Sequence, residues 1–200
     1  MEFVEFQRYA LVDAFVTNHL VMQLDDVAAM LRLPLPEVGI RAGCNFAAAA
    51  TLCNLISGIS TVLYKPRTKM RSGLRFKELL KKYFPWEPTE DKEENAKVIY
   101  DIFRNPLAHS LGRQTKTSLP VLIAKNRSEK DRIEELQQST KRPESVPLAV
   151  RGDASKGYVL SVEGLYWGVI QMLRKLAEDT EQMHEANITL GFGSSIKSDA

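Results

Sequence analysis

Between Arg41 and Lys65 this 200-residue chain carries no charged side chain. A stretch of that length either spans a bilayer, which takes about 20 apolar residues, or forms a helix buried by the rest of a globular fold. Its polar residues decide between the two. Asn45, Thr51, Asn54, Ser57, Ser60 and Thr61 interrupt it, along with several Ala and Gly, whereas a spanning helix is more uniformly apolar. The segment therefore reads as a central helix over residues 39–64, buried on most sides, in a chain with no membrane contact. Its Ala47-Ala48-Ala49-Ala50 run lets another helix approach closely, within the monomer in preference to a second copy.

The rest of the chain is arranged around that helix. Residues 2–22 put Phe3, Phe6, Tyr9, Val12, Val16 and Leu20 on one apolar face. Asp25 or Asp26 is placed to cap a short helix through Leu31, which Pro34 and Pro36 stop. Two further helices, residues 74–84 and 91–104, flank the turn Pro85-Trp86-Glu87-Pro88. Residues 118–124, around Pro120, read as a short edge strand. Residues 128–138 read as a charged helix with few core positions. Leu148-Ala149-Val150 and Tyr158-Val159-Leu160 read as a β-hairpin about a turn-rich stretch. Ser161 then caps a long last helix to about Ala186. The expected fold is mainly α, a bundle of four to five longer helices with a small β-hairpin insertion before the last. It forms a single domain over residues 1–190, with a flexible tail over 191–200.

Charge and cysteine content narrow the function classes. With 27 basic and 25 acidic residues the net charge is +2, so no global field attracts nucleic acid and any basic surface is local. Glu2 and Glu5, without a basic start and an apolar run, do not make a secretory signal. Cys44 and Cys53 lie too far apart on one helix for a disulfide and read as small buried apolar residues of a cytoplasmic protein. His19 and His184 stand without a second ligand at metal spacing, so neither a metal nor a cofactor is expected. No phosphate-binding glycine loop or serine nucleophile elbow is present.

The chemistry concentrates in Arg104-Asn105-Pro106-Leu107-Ala108-His109. A permanent cation whose planar fork suits phosphate stands five positions from the side chain best placed to move a proton near neutral pH. A residue before proline is pushed out of the α region, so the chain is expected to bend at Asn105. Asn105 would cap a new helix starting at Pro106, with His109 one turn in. Arg104 would then lie at a helix N-terminus, where free N–H groups favour an anion and a neutral His109. The plainer reading makes Asn105-Pro106 a helix-to-helix turn with His109 packed beneath it.

The hexapeptide resembles the signature of the HEPN superfamily, in which Arg is followed by Asn, Asp or His and then by His four to six positions after the Arg. Gly43-Cys44-Asn45-Phe46-Ala47 is similar to the long inner helix of stand-alone bacterial members, so the resemblance covers residues 39–112. It implies a compact helical domain acting as a metal-independent endoribonuclease, classed as a hydrolase. Arg104, Asn105 and His109 would be catalytic, and a homodimer would bring two motifs together. It also implies a toxin–antitoxin or defence role with a possible antitoxin partner. Relatives that bind nucleotide, RNA or protein without cutting supply the alternative function.

Further residues are candidates for binding RNA or supporting the site. Lys65, Arg67, Lys69, Arg71, Arg75, Lys77, Lys81 and Lys82 form a basic run offset by Glu78. It reads as a landing strip for RNA phosphates or as a solvated loop and helix face. Asn45 either orients Arg104 or His109 or is an amide paired with backbone. Ser110 is a possible hydrogen-bond donor, and Arg113 a second cation or a surface residue.

Overall fold

In the computed structural model, residues 3–33, 44–64, 69–109, 119–125, 130–144, 146–153 and 156–195 are described. After a 3-10 turn at Val4–Phe6, α1 (Ala10–Phe15) runs through a π-helical segment (Val16–Val21) into α2 (Met22–Arg32). Then come α3 (Asn45–Tyr64), α4 (Ser72–Tyr83) and α5 (Lys92–Val98). α5 continues through a second π-helical segment (Ile99–Arg104) into the short α6 (Asn105–His109). β1 (Val121–Ala124), α7 (Lys130–Gln138), β2 (Val150–Asp153), β3 (Gly157–Ser161), α8 (Val162–Glu178) and α9 (Thr180–Ser195) follow. The fold is mainly α with a small sheet, as expected.

The most deeply buried helix is α8 rather than α3. Every residue from Val162 to Leu173 is buried, because α3, α4, α7 and α9 all pack against this helix. Three of the polar groups at its start and along it are satisfied inside. Ser161 Oγ accepts from the Gly164 N–H at 3.1 Å, the expected cap. Trp167 Nε1 and Gln171 Nε2 both donate to the Ser139 carbonyl, at 3.1 and 2.9 Å. Gly168 has no Cβ, and the Phe84 ring at the end of α4 occupies the place one would take. α3 buries Ala48, Ala49, Leu52, Ile56 and Ile59 but leaves Phe46, Ala47, Asn54 and Gly58 exposed. Lack of charge makes burial cheap without compelling it, and small side chains cost little in water. α3 is long and apolar enough to cross a membrane by length and composition, and 50% of its 18-residue apolar window is buried inside the fold.

The N-terminal helices differ from expectation in where they break. α2 follows α1 without interruption, so Asp25 and Asp26 lie inside a helix rather than at its N-cap. The C-terminus of α2 is capped from a distance. Lys125, buried just after β1, donates through Nζ to the Met30 and Leu33 carbonyls at 2.8 and 2.7 Å. Burial of this ammonium pushes its pKa down, and carbonyls at a helix end suit a cation. α7 is likewise less peripheral than its charge suggests, since Ile133 and Leu136 are fully buried.

The sheet has the order β1-β3-β2. β2 and β3 form the expected antiparallel hairpin, with Val150 opposite Leu160. Pairing extends through Arg151, Gly152 and Asp153, which composition assigns to the turn. β1 is an edge strand as expected, lying parallel to β3 with Val121 opposite Tyr158. Its outer edge is partly covered by α3, where the Asn45 side-chain amide donates to the Ile123 carbonyl at 2.5 Å. A short, partly covered edge resists pairing with other chains.

The C-terminal helix is broken in two at Asp179, and α9 extends through Ser195 into the segment expected to be a flexible tail. α9 is held along α1, with Asn187 Oδ1 accepting from the Leu11 N–H at 3.0 Å. At the break, Asp179 Oδ1 accepts from the Gln182 N–H at 3.1 Å and so caps α9. Its Oδ2 accepts from Tyr83 Oη at 2.7 Å and Lys82 Nζ at 2.8 Å. Partial burial pushes this carboxyl up, but the hydrogen bonds from Lys82, Tyr83 and the Gln182 amide outweigh it and hold the pKa at about 2, against an ordinary 3.8. The stability gained is present above the ordinary carboxyl range and is lost as pH falls through the folded value. Asp179→Ala is expected to cost about 2 kcal/mol at neutral pH in urea unfolding. Asp179→Asn should lose less stability than the wild type as the pH falls from the ordinary carboxyl pKa towards the folded value. Parallel acid titrations would refute the assignment.

Candidate functional site

The helix that delivers the motif begins where expected. Asp91 Oδ1 accepts from the Glu93 and Glu94 N–H groups at 3.0 and 3.1 Å. Ala96, Ile99 and Phe103 face the core. The expected bend at Asn105 is absent. Asn105 is helical, with φ −62° and ψ −50°, and its N–H reaches the Tyr100 carbonyl five residues back. The π-helical segment explains why helix continues into proline. Pro106 has no N–H to give, and its ring would crowd the carbonyl four residues earlier in a regular α-helix. Widening the preceding turn by one residue relieves that crowding. Asn105 is therefore not an N-cap, and Arg104 lies within continuous helix rather than beside a helix N-terminus. The attraction for an anion here comes from side chains.

Residues five apart on a straight α-helix are turned about 140° from one another. The long arginine side chain closes that gap. Arg104 Nη1 stands 3.4 Å from His109 Nε2 and 3.3 Å from Asn105 Oδ1, to which it donates. The contact with His109 is a hydrogen bond when the imidazole proton is on Nδ1. Arg104 Nε donates to Ser57 Oγ at 3.3 Å across the gap to α3. Ser57 in turn donates to the Cys53 carbonyl at 2.9 Å. The guanidinium carbon also lies 5.5 Å from the centre of the Tyr100 ring, within cation–π range. Arg104 is partly buried and His109 exposed, so the imidazole is not sealed under the bundle.

Ser57, Asn105 and Tyr100, which hold Arg104, carry no charge. Among the described residues no carboxylate lies within ion-pair distance of it. A half-buried cation with neutral partners retains its field for an incoming anion. Tyr100 and Ser57 are the residues the sequence reading missed. Tyr100 was legible, since it precedes Arg104 by four positions and so shares its helix face. Ser57 is 47 positions away, and no local signal marks it.

The basic run divides into two groups. Lys81 pairs with Glu78 and with Glu93, and Lys82 pairs with Asp179 at 2.8 Å. Lys69 and Arg71 are exposed, and Arg75 Nη1 donates to the Met70 carbonyl at 2.5 Å. Lys77 Nζ lies 5.8 Å from the centre of the Tyr100 ring. Lys65 and Arg67 fall outside the described residues, as do Ser110 and Arg113.

Asn45 does not join the motif. Its amide is spent on the Ile123 carbonyl of β1, the backbone pairing that a buried amide ordinarily finds. His19 stacks near Phe15, with 5.6 Å between ring centres. Among the described residues no group of three or more His, Cys, Asp or Glu is placed to hold a metal ion. Cys53 is buried as expected, and burial pushes its thiol up to about 12 against a smaller opposing pull from Arg104. Cys44 is exposed, which corrects its reading as a buried residue. It sits at the start of α3 in the left-handed region, with φ 55°.

Removing the Ser57 hydroxyl is expected to free Arg104 Nε while leaving the fold within about 1 kcal/mol of wild type. In Ser57→Ala the Arg104 Nε–H should exchange faster with water in NMR spectra, and Ser57→Thr should restore protection. Equal exchange in wild type and Ser57→Ala would rule out the contact as an anchor. Comparison of the chain with protein-family models, curated proteins and solved structures finds no match.

Proposed function

We propose that this protein is a metal-independent endoribonuclease of the HEPN kind, with Arg104 and His109 as its reacting groups. The observation that carries the reading is the 3.4 Å approach of Arg104 Nη1 to an exposed His109 Nε2, at a cation with no acidic partner among the described residues. A bond of that length is weak, so it yields to substrate at small cost. Arg104 then binds the non-bridging phosphoryl oxygens and their growing negative charge. His109 Nε2 accepts the proton of the ribose 2′-hydroxyl. The 2′-oxygen forms a bond to phosphorus as the bond to the 5′-oxygen breaks, and the leaving oxygen takes a proton from solvent. The products are a 2′,3′-cyclic phosphate and a 5′-hydroxyl. DNA lacks the attacking group and resists.

Asn105 supports the pair, since its side-chain oxygen holds the Nη1 that faces His109. Lys69, Arg71 and Arg75 supply nearby positive charge for the RNA backbone. A homodimer belongs to the same proposal. The exposed Ala47, Asn54 and Gly58 of α3 give a second copy a close approach beside Ser57, which anchors Arg104. A toxin or defence role, with an antitoxin partner, is the biological setting proposed.

The test is incubation of pure protein with labelled RNA in chelator. Cleavage is expected to fall by at least a hundredfold in both His109→Ala and Arg104→Ala. Undiminished cutting by both variants would defeat the mechanism. If the wild type does not cut, and RNA binding is lost in Arg104→Ala but kept in His109→Ala, the protein is a binding module built on the same arginine.

A further inference from the structure

The Tyr100 ring has two cations against it. Arg104 Cζ is 5.5 Å from the ring centre and Lys77 Nζ is 5.8 Å from it. The arrangement is built into the packing. A Cβ on Gly73 would fall 2.6 Å from Tyr100 Cζ, so the ring occupies space that any other residue on that turn of α4 would take. Phe76 backs the ring, with 5.3 Å between centres. Gly73, Phe76 and Lys77 all belong to α4, which therefore seats Tyr100 and presents a lysine beside it.

Lys77 has no acidic partner among the described residues, although acids are close. The groove between α4 and α5 is lined by Lys77, Glu78, Lys81, Asp91, Glu93, Glu94 and Lys97 among others. Each of its carboxylates is engaged elsewhere. Glu78 and Glu93 both hold Lys81, Glu94 holds Lys97 at 3.3 Å, and Asp91 caps α5. Lys77 is thus the cation of this groove left without an ion pair among the described residues. Its acid-rich neighbourhood also sets a direction, because a phosphate chain is repelled from the groove and favoured on the Tyr100 side.

We propose that Lys77 is a second phosphate-binding residue, and that the site takes an RNA strand through two phosphates across Tyr100 rather than an isolated phosphate or a mononucleotide. The inference rests on the phosphate-binding role proposed for Arg104. The strand runs from the Arg104–His109 pair over Tyr100 to Lys77, and on towards Arg71 at the start of α4. These contacts are to backbone and carry no base preference of their own.

The experiment measures binding of a short labelled single-stranded 2′-O-methyl RNA, which cannot undergo 2′-oxygen attack, by fluorescence anisotropy across a salt series. Lys77→Gln is expected to weaken binding several-fold and to make the slope of log affinity against log salt shallower by about 0.7, the loss of one phosphate contact to a single strand. Arg104→Gln should do the same. Lys175→Gln, an exposed lysine of α8 off the proposed path, serves as the control for bulk charge. If Arg104→Gln weakens binding while Lys77→Gln matches wild type in affinity and slope, the second phosphate position is refuted and the reading of Arg104 stands. If Arg104→Gln also matches wild type, the underlying reading fails and this inference with it. Equal losses in Lys175→Gln and Lys77→Gln would reduce the effect to net charge and overturn the proposal.

Discussion

The site depends on one constraint: a half-buried guanidinium held without a carboxylate among the described residues. Burying a cation has a desolvation cost that proteins usually offset with a carboxylate. Arg104 is held by a serine hydroxyl, an asparagine oxygen, an imidazole nitrogen and an aromatic face. Such contacts fix the side chain in position without neutralising it. A carboxylate at any of these places would make a tighter structural ion pair and leave little field for an anion. The arrangement requires α3 to lie close to the motif helix, so that Ser57 can reach Arg104 Nε. It also requires Tyr100 to be seated on α4.

The continuous helix through Pro106 changes the electrostatics from what the hexapeptide suggests. A bend at Asn105 would create a helix N-terminus, with free N–H groups and the positive end of a dipole beside Arg104. The π-helical turn removes both, because the Asn105 N–H is already bonded to the Tyr100 carbonyl. What remains is charge on side chains: Arg104 itself, Lys77 across the ring, and the cations at the start of α4. Helix dipoles fade within a turn. Side-chain charges reach further, at a strength set by ionic strength.

Much of the architecture was legible in local patterns. Ser161 caps the helix it was expected to cap, and the helix expected over residues 91–104 starts where Asp91 caps it. Pro120 marks the approach to an edge strand, and the hairpin before α8 is in place. Arg104 and His109 meet as the hexapeptide suggested. What failed was long-range. Freedom from charge made α3 look like the central helix, yet α8, which carries Glu163 and Gln171, is the one surrounded on all sides. Its core role arises from which helices pack on it, and no periodicity within one segment records that. Proline signals misled at Asn105 because steric preference before proline is a tendency that a widened turn relieves. Asn45 was drawn away from the motif by β1, a strand 78 positions distant.

The basic run shows why a cluster in sequence is not yet a patch in space. Lys77, Lys81 and Lys82 lie on one helix within two turns, and by composition they are equivalent. Their partners separate them. Asp179, at the break between α8 and α9, holds Lys82, and Glu93, from the first turn of α5, holds Lys81. Both acids reach α4 through tertiary folding, so the lysines they hold are committed to stability. Lys77 escapes because its side chain turns onto Tyr100 instead. The charge left over after these pairings lies next to Arg104, which also has no counter-ion among the described residues, and two cations over one ring repel each other. That repulsion is tolerated because the π face offsets part of it. In the proposed reading, a polyanion lying across the ring would offset the rest.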